Sequence, residues 1–262
     1  MEKTILIKLS GEAMSGKYGQ GLDFEYIEKI CRMIKETHDE HNTRIGIVCG
    51  GGNFLRGRDA VAMDRETADY TGMLATVMNS LVLKDTFTRI NYPSYNQSGL
   101  GIDIIDKPDA QKAITALNDG KIVIYGGGTG KPFFSTDTGA ALRAIDINAN
   151  MIIKLTNVDG VYNKDPNKHP DAIKYNQVTY QEVLEKKLGI MDLEAMELCQ
   201  KHNIEIVVAN INTPHCLTRI INKENIGTKV LNSRWRYCSN KEQKNASVFF
   251  KKNYINFIIN MV

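Results

Sequence analysis

Six short apolar runs of strand length recur along this chain, separated by stretches with helical spacing, and that alternation limits the fold more than any other feature. The runs fall at residues 4–9, 44–49, 121–125, 151–155, 204–209 and 228–231. Most are too uniformly apolar to leave one face in water, as expected of strands covered on both sides. Strands alternating with helices predict an α/β fold: a three-layer αβα sandwich around a mainly parallel sheet. A chain of 262 residues that is 42% hydrophobic and 24% charged is long enough for such a sandwich.

The intervening segments carry helix signals with physical causes. Asp23 is placed to cap a helix whose Ile27, Ile30 and Ile34 line one face, and Thr179 to Glu182 fits a capping box. Pro108 and Pro214 sit where first-turn prolines are expected, and Gly120 is placed to end the helix that begins near Pro108. The stretch Thr67 to Phe87 predicts the longest helix, with Met73, Leu74, Val77, Met78, Leu81 and Val82 forming a wide apolar face suited to a second subunit as well as the core. From Asn232 onward no usable periodicity remains, so the expected division is a main folded domain over 1–231 and an appendage over 232–262.

Charge and cysteine usage narrow the class of partner. A formal charge of +3, gathered partly near the C-terminus, predicts no nucleic-acid face. Cys31, Cys49, Cys199, Cys216 and Cys238 are odd in number and lack a Cys-x-x-Cys pair, which suits reduced thiols better than a disulfide framework or a zinc site. The first apolar run is too short for a signal segment and no run of about eighteen apolar residues occurs, so a cytoplasmic protein without a membrane partner is expected. His38 and His41 flank Asp39 and Glu40, but no third ligand accompanies them at a metal-site spacing, and an exposed helix end is expected there.

Three glycine-bearing loops follow predicted strands: Lys8 to Glu12, Gly50 to Asn53 leading to Arg56 and Gly57, and Gly126 to Asp137. Glycines allow backbone to pass close to a ligand, while lysine, hydroxyls and aspartate supply phosphate donors and a carboxylate. In an open parallel sheet such loops meet in one crevice at the carboxyl ends of the strands, which predicts a nucleotide site. The third loop is expected to feed a helix at Asp137 whose N-terminus faces that crevice. Lys8 within an apolar strand is a costly buried charge unless it meets an anion there. Gly11 to Lys17 approaches a Walker-type phosphate loop but continues with Tyr18 where a Ser or Thr is required, and Tyr18 to Gly21 is expected to remain loop.

These residues resemble the bacterial-type uridylate (UMP) kinases of the amino-acid kinase superfamily. The resemblance is carried by Lys8 to Ala13, Gly50 to Gly57, Asp69 to Asn79, Thr129 to Asp137, Val158 to Tyr162 with Asp165 and Pro166, and Ile190 to Asp192. It implies transfer of a phosphoryl group from Mg·ATP to UMP, with Mg²⁺ entering as part of the nucleotide, on a homohexamer. It further implies that Lys8, Ser10, Gly11, Gly52 and Arg56 hold ATP phosphates and that Thr156, Tyr162 and Asp165 hold the rest of ATP. Gly51, Asp69 and the loop Thr129, Gly130, Lys131, Pro132, Phe133, Phe134, Ser135 and Thr136 are implied to hold UMP. Lys8, Arg56 and Asp137 are the implied catalytic residues. Gly16, Lys17, Tyr18, Gly19, Gln20 and Gly21 look like the segment linked to activation by GTP, and UTP is the implied inhibitor. Two other readings share Lys8 and the glycine loops: a kinase of carboxylates or carbamate, and a nucleotide-binding protein without turnover.

Overall fold

The computed structural model describes residues 3–55, 62–166 and 168–232, which lie in one compact unit. Its strands are β1 (Thr4–Leu9), β2 (Arg44–Cys49), β3 (Ser94–Ser98), β4 (Ile122–Gly126), β5 (Met151–Thr156), β6 (Val161–Tyr162), β7 (Lys174–Tyr175), β8 (Gln177–Thr179), β9 (Glu205–Asn210) and β10 (Thr228–Leu231). Its α-helices are α1 (Gly11–Ser15), α2 (Phe24–His41), α3 (Arg65–Arg89), α4 (Ala110–Asn118), α5 (Thr136–Asp146), α6 (Tyr180–Glu185), α7 (Leu193–Lys201) and α8 (Cys216–Ile221).

Eight strands form one sheet in the order β3-β4-β2-β1-β5-β9-β10-β8, parallel except where β10 meets β9. The period-two alternation of β1 divides the core between the two faces. Ile5, Ile7 and Leu9 meet Ile27, Ile30 and Ile34 of α2, Phe87 of α3 and Leu217 of α8, whereas Leu6 joins Leu117 of α4, Ala140, Ala141 and Ala144 of α5, and Met196 of α7. This is the expected sandwich. Each of the six predicted apolar runs is a strand, within a residue or two of its expected ends.

Several local expectations change. β3 is polar (Ser-Tyr-Asn-Gln-Ser), yet its Asn96, Gln97 and Ser98 are buried, so hydrogen bonding and not apolar alternation holds it at the sheet edge. Pro108 and Pro214 each precede the capping residue, Asp109 and His215 respectively, and so stand outside the first turn. Gly120 follows the C-cap Asp119 at φ +74°, as a helix terminator should. The long helix extends to Arg65–Arg89 because Asp64 caps it, its side chain accepting from the Thr67 N–H at 3.0 Å. Ser135, not Asp137, caps α5, accepting from the N–H groups of Asp137 and Thr138. The start of the segment after β1 is the short helix α1, and Gly16–Tyr18 form a 3₁₀ turn. His38 and His41 are half-buried and not exposed, with His38 Nδ1 2.6 Å from the Tyr92 hydroxyl. Four of the cysteines are free and buried, and Cys238 lies outside the described residues. The expected appendage lies outside them from residue 233 onward.

Candidate active site

The three glycine loops meet at the carboxyl edge of the sheet. A Cβ on Gly11 would collide with the backbone of Gly51 and Gly52, so the first two loops pack main chain to main chain as only glycine permits. The second loop is pinned by a reciprocal amide pair, Asn53 Nδ2 to Asn79 Oδ1 at 3.0 Å and Asn79 Nδ2 to Asn53 Oδ1 at 2.8 Å. The remaining amide hydrogens reach Gly21 O and Gly50 O at 2.8 and 2.7 Å, so this buried pair is fully satisfied. The third loop is fastened to α3 by the Gly127 N–H donating to Thr76 Oγ1 at 2.8 Å.

Between the second and third loops and α3 lies a cleft of about 570 Å³, within the ~300–1,000 Å³ typical of small-molecule sites. Of the residues expected to hold an acceptor, Gly51, Asp69, Phe134, Ser135 and Thr136 line it, as does Gly52, which was expected on the donor side. Thr129, Gly130, Lys131 and Pro132 belong to the same loop without lining the cleft, the Thr129 hydroxyl closing a tight turn with the Lys131 N–H at 3.2 Å. Phe133 adopts φ +72°, a conformation costly for a bulky side chain, and its N–H donates to Asp69 Oδ2 at 2.7 Å. Arg65 Nε reaches both oxygens of the same carboxylate, at 3.0 and 2.8 Å. Asp69 therefore joins α3 to the third loop, taking one cationic donor from Arg65 and one neutral donor from the Phe133 N–H.

A second cleft, of about 420 Å³, opens past the ends of β5 and β6 and contains Thr156, Tyr162 and Asp165 together with Lys154, Lys164 and Ile190. Thr156 Oγ1 accepts from the Val158 N–H at 3.1 Å and shapes the turn after β5. The Tyr162 hydroxyl donates to Asp159. Ser10 caps α1 through the Ala13 N–H at 3.3 Å, and neither it nor Gly11 lines this cleft. Arg56 and Gly57 lie outside the described residues. A third cleft, of about 400 Å³, is lined by Gly16 and Lys17 of the Gly16–Gly21 segment but not by Tyr18, Gly19, Gln20 or Gly21.

Charged side chains join the first two clefts. Asp137 sits in the first turn of α5, directly after Thr136 of the first cleft, and its Oδ1 lies 3.0 Å from Lys8 Nζ. Its Oδ2 accepts from Lys154 Nζ at 2.8 Å, and Lys154 lines the second cleft. Burial pushes the Asp137 carboxyl upward, but the Lys8 and Lys154 ammoniums outweigh it and hold the group below its ordinary 3.8. Burial pulls the Lys154 ammonium below its ordinary 10.5, with Asp137 opposing that shift and Lys8 adding to it. Asp192, the cap of α7, takes hydrogen bonds from Ser135 Oγ and, at 3.0 Å, from Thr138 Oγ1, so the start of α5 is tied to the segment that ends in Ile190. Lys154, Arg65 and the Asn53–Asn79 pair were not singled out from sequence. For Lys154 the signal exists: Ile-Leu-Ile-Lys-Leu in β1 and Met-Ile-Ile-Lys-Leu in β5 interrupt an apolar strand with lysine at the same place.

Among the described residues no helix is long and apolar enough to cross a membrane. In fold the chain is similar to a UMP kinase from Bacillus anthracis, at 33% identity and TM-score 0.84, over 88% of this chain and 97% of that one. A UMP kinase from Ureaplasma parvum matches at 33% identity and TM-score 0.82, over 88% and 99% of the two chains. A uridylate kinase from Archaeoglobus fulgidus matches at 26% identity and TM-score 0.66, over 88% and 100%. The profile of the amino acid kinase family matches residues 3–210. With three converging glycine loops on a mainly parallel sandwich and that match across most of its length, the chain belongs to the amino acid kinase family.

Proposed function

We propose that this chain is a UMP kinase, transferring the γ-phosphoryl group of Mg·ATP to UMP to give UDP and ADP. The observation that carries the proposal is the pair of clefts joined by the Lys8–Asp137–Lys154 ion cluster, since a phosphoryl group must pass between two bound nucleotides at a point of concentrated positive charge. Similarity to UMP kinases at 33% identity selects the acceptor. UMP occupies the cleft built from Gly51, Asp69 and the Thr129–Thr136 loop. ATP occupies the cleft of Thr156, Tyr162 and Asp165, where four lysines (Lys154, Lys164, Lys186 and Lys187) favour a polyphosphate. Lys8, Ser10, Gly11, Gly52 and Arg56 serve its phosphates.

The protein's part in the chemistry is placement of charge. Asp137 holds the two ammoniums apart and in position, and no general base is required because the acceptor oxygen is already anionic. Mg²⁺ enters with the nucleotide as Mg·ATP, and Asp137 is proposed to orient the cations or the metal ion. Tyr70, Leu74 and Met78, spaced to share one face of α3 and exposed at 38%, 50% and 44%, support assembly with further copies, and a homohexamer is the proposed state. The Gly16–Gly21 segment is proposed to transmit GTP activation, supported by its bonds at Gly21 to Asn53 beside the glycine loop, with UTP as inhibitor. A cytoplasmic location is part of the same proposal.

ADP formation measured with UMP, CMP, dTMP, glutamate and carbamate as acceptors tests it. Turnover with UMP well above that with CMP is expected. Equal use of CMP would remove the proposed specificity, and turnover only with glutamate or carbamate would assign a different amino acid kinase activity.

A further inference from the structure

Lys154 and Lys8 are register partners on adjacent parallel strands, β5 and β1. Alternation places Lys8 on the face of Leu6 and Lys154 on the face of Ile152, and both of those residues pack in the helical layer that contains α5. Two ammoniums side by side on one sheet face repel, and burial makes the repulsion worse. A single carboxylate, Asp137, is shared between them at 3.0 and 2.8 Å, with side-chain exposures of 11% for Lys8 and 15% for each of the other two. Asp192 attracts Lys154 from farther off, but its own oxygens are occupied by Ser135, Thr138 and the Ala195 N–H. The cluster is thus built to accept more negative charge than it contains.

The hydrogen-bond inventory of Lys154 points to where that charge enters. An ammonium has three donors. One goes to Asp137 Oδ2 and one to the carbonyl oxygen of Ile190, leaving one without an acceptor among the described residues. Lys154 and Ile190 both line the donor cleft. We propose that Lys154 is a second phosphoryl-holding cation, which contacts the γ-phosphoryl oxygens of ATP from the donor cleft while Lys8 contacts them from β1. The inference rests on the kinase function proposed above. In the transfer, a bond forms from the UMP phosphate oxygen to the γ-phosphorus as the bond to the β,γ-bridging oxygen breaks, and the electron pair leaves with ADP. Charge is then spread over the γ-phosphoryl oxygens, which two fixed ammoniums stabilise without reorganising.

Calorimetric affinities for Mg·ATP and Mg·ADP in the full-length chain test the contact apart from turnover, because the two ligands differ by the γ-phosphoryl group. Lys154→Met keeps the aliphatic stem and leaves Asp137 paired with Lys8, so the variant is expected to fold, and its melting temperature checks that. The wild type should bind ATP more tightly than ADP, and Lys154→Met should lose most of that preference while ADP affinity is nearly unchanged. With UMP as acceptor, kcat should fall by roughly a hundredfold, the scale of one lost preorganised donor. Lys154→Arg, which keeps the charge, should recover part of both. An unchanged ATP-to-ADP affinity ratio in a folded Lys154→Met would overturn the assignment. A wild type that shows the Lys154-dependent ratio but does not phosphorylate UMP would keep Lys154 and refute the UMP kinase function.

Discussion

Asp137 concentrates the electrostatics of the site in one residue. It is buried, yet it stays ionised because two ammoniums lie within 3.0 Å of its oxygens. Its carboxyl is held below 3.8 in the folded chain, so the stability it contributes is fully present above about pH 3.8 and is lost as pH falls through the lowered folded value. Asp137→Asn should remove that acid limb from a plot of melting temperature against pH. Near pH 7 the variant should be less stable by about 3–5 kcal/mol, because two buried ammoniums then face each other unpaired. The variant should regain stability as pH rises toward 10.5, since Lys154, whose buried ammonium is held below its ordinary value, sheds its proton before the same lysine in the unfolded chain. Thermal denaturation of both proteins from pH 3 to 10 checks the sign at each end, and parallel curves would show that the cluster is electrostatically unimportant.

At the scale of the element, helix ends do two kinds of work. The cap of α5, Ser135, also lines the acceptor cleft and binds Asp192, so its structural and chemical effects cannot be separated by mutation. The cap of α6 is free of that entanglement: Thr179 accepts from the Glu182 N–H at 3.1 Å, and Glu182 Oε2 accepts from the Thr179 N–H at 2.8 Å. Thr179→Ala should cost about 1 kcal/mol, a fall of roughly 2–4 °C in melting temperature for a chain of this size. Turnover should be nearly unchanged, which makes the variant a control for substitutions within the site. A larger drop with lost activity would mean that α6 positions the donor cleft directly. Both caps follow from hydroxyl residues ahead of apolar runs, but only Thr179 was identified from sequence, because Ser135 is followed by three further polar residues, Thr136, Asp137 and Thr138, that disguise where α5 begins.

For the whole molecule, α3 is the element with duties on both sides. Its Met73, Val77 and Phe87 are buried, Gly72, Met73 and Thr76 line the acceptor cleft, and Tyr70, Leu74 and Met78 remain exposed along one face. Apolar side chains at that spacing favour a second copy of the helix over water. A Leu74→Glu, Met78→Glu double variant should lower the molecular mass in solution measured by light scattering. Its isolated subunits should keep their far-ultraviolet circular dichroism. A mass unchanged by two charges on that face would remove α3 as the proposed assembly surface.

Periodicity carries over from sequence to structure because it is a local property: each strand-length apolar run forms a strand, since only burial on both sides satisfies it. The glycine loops were legible for the same reason, as their lack of side chains is itself the requirement for close backbone packing. β3 was not legible, because its polar run does not announce a buried strand, and the partners of its side chains lie on other elements, such as Asp109 O, which accepts from Gln97 Nε2 at 3.0 Å. Nor was the place of Lys154. Its β5 run matches that of β1 in pattern, but only the parallel register brings Lys8 and Lys154 together, and only the docking of α5 puts Asp137 between them. Sequence determined six of the strands, where the glycine loops lie and which family the chain belongs to. Tertiary structure decided which charges share one buried carboxylate, because that depends on a strand register and a helix docking that bring Lys8 to Asp137 and Lys154, each more than a hundred positions away from it.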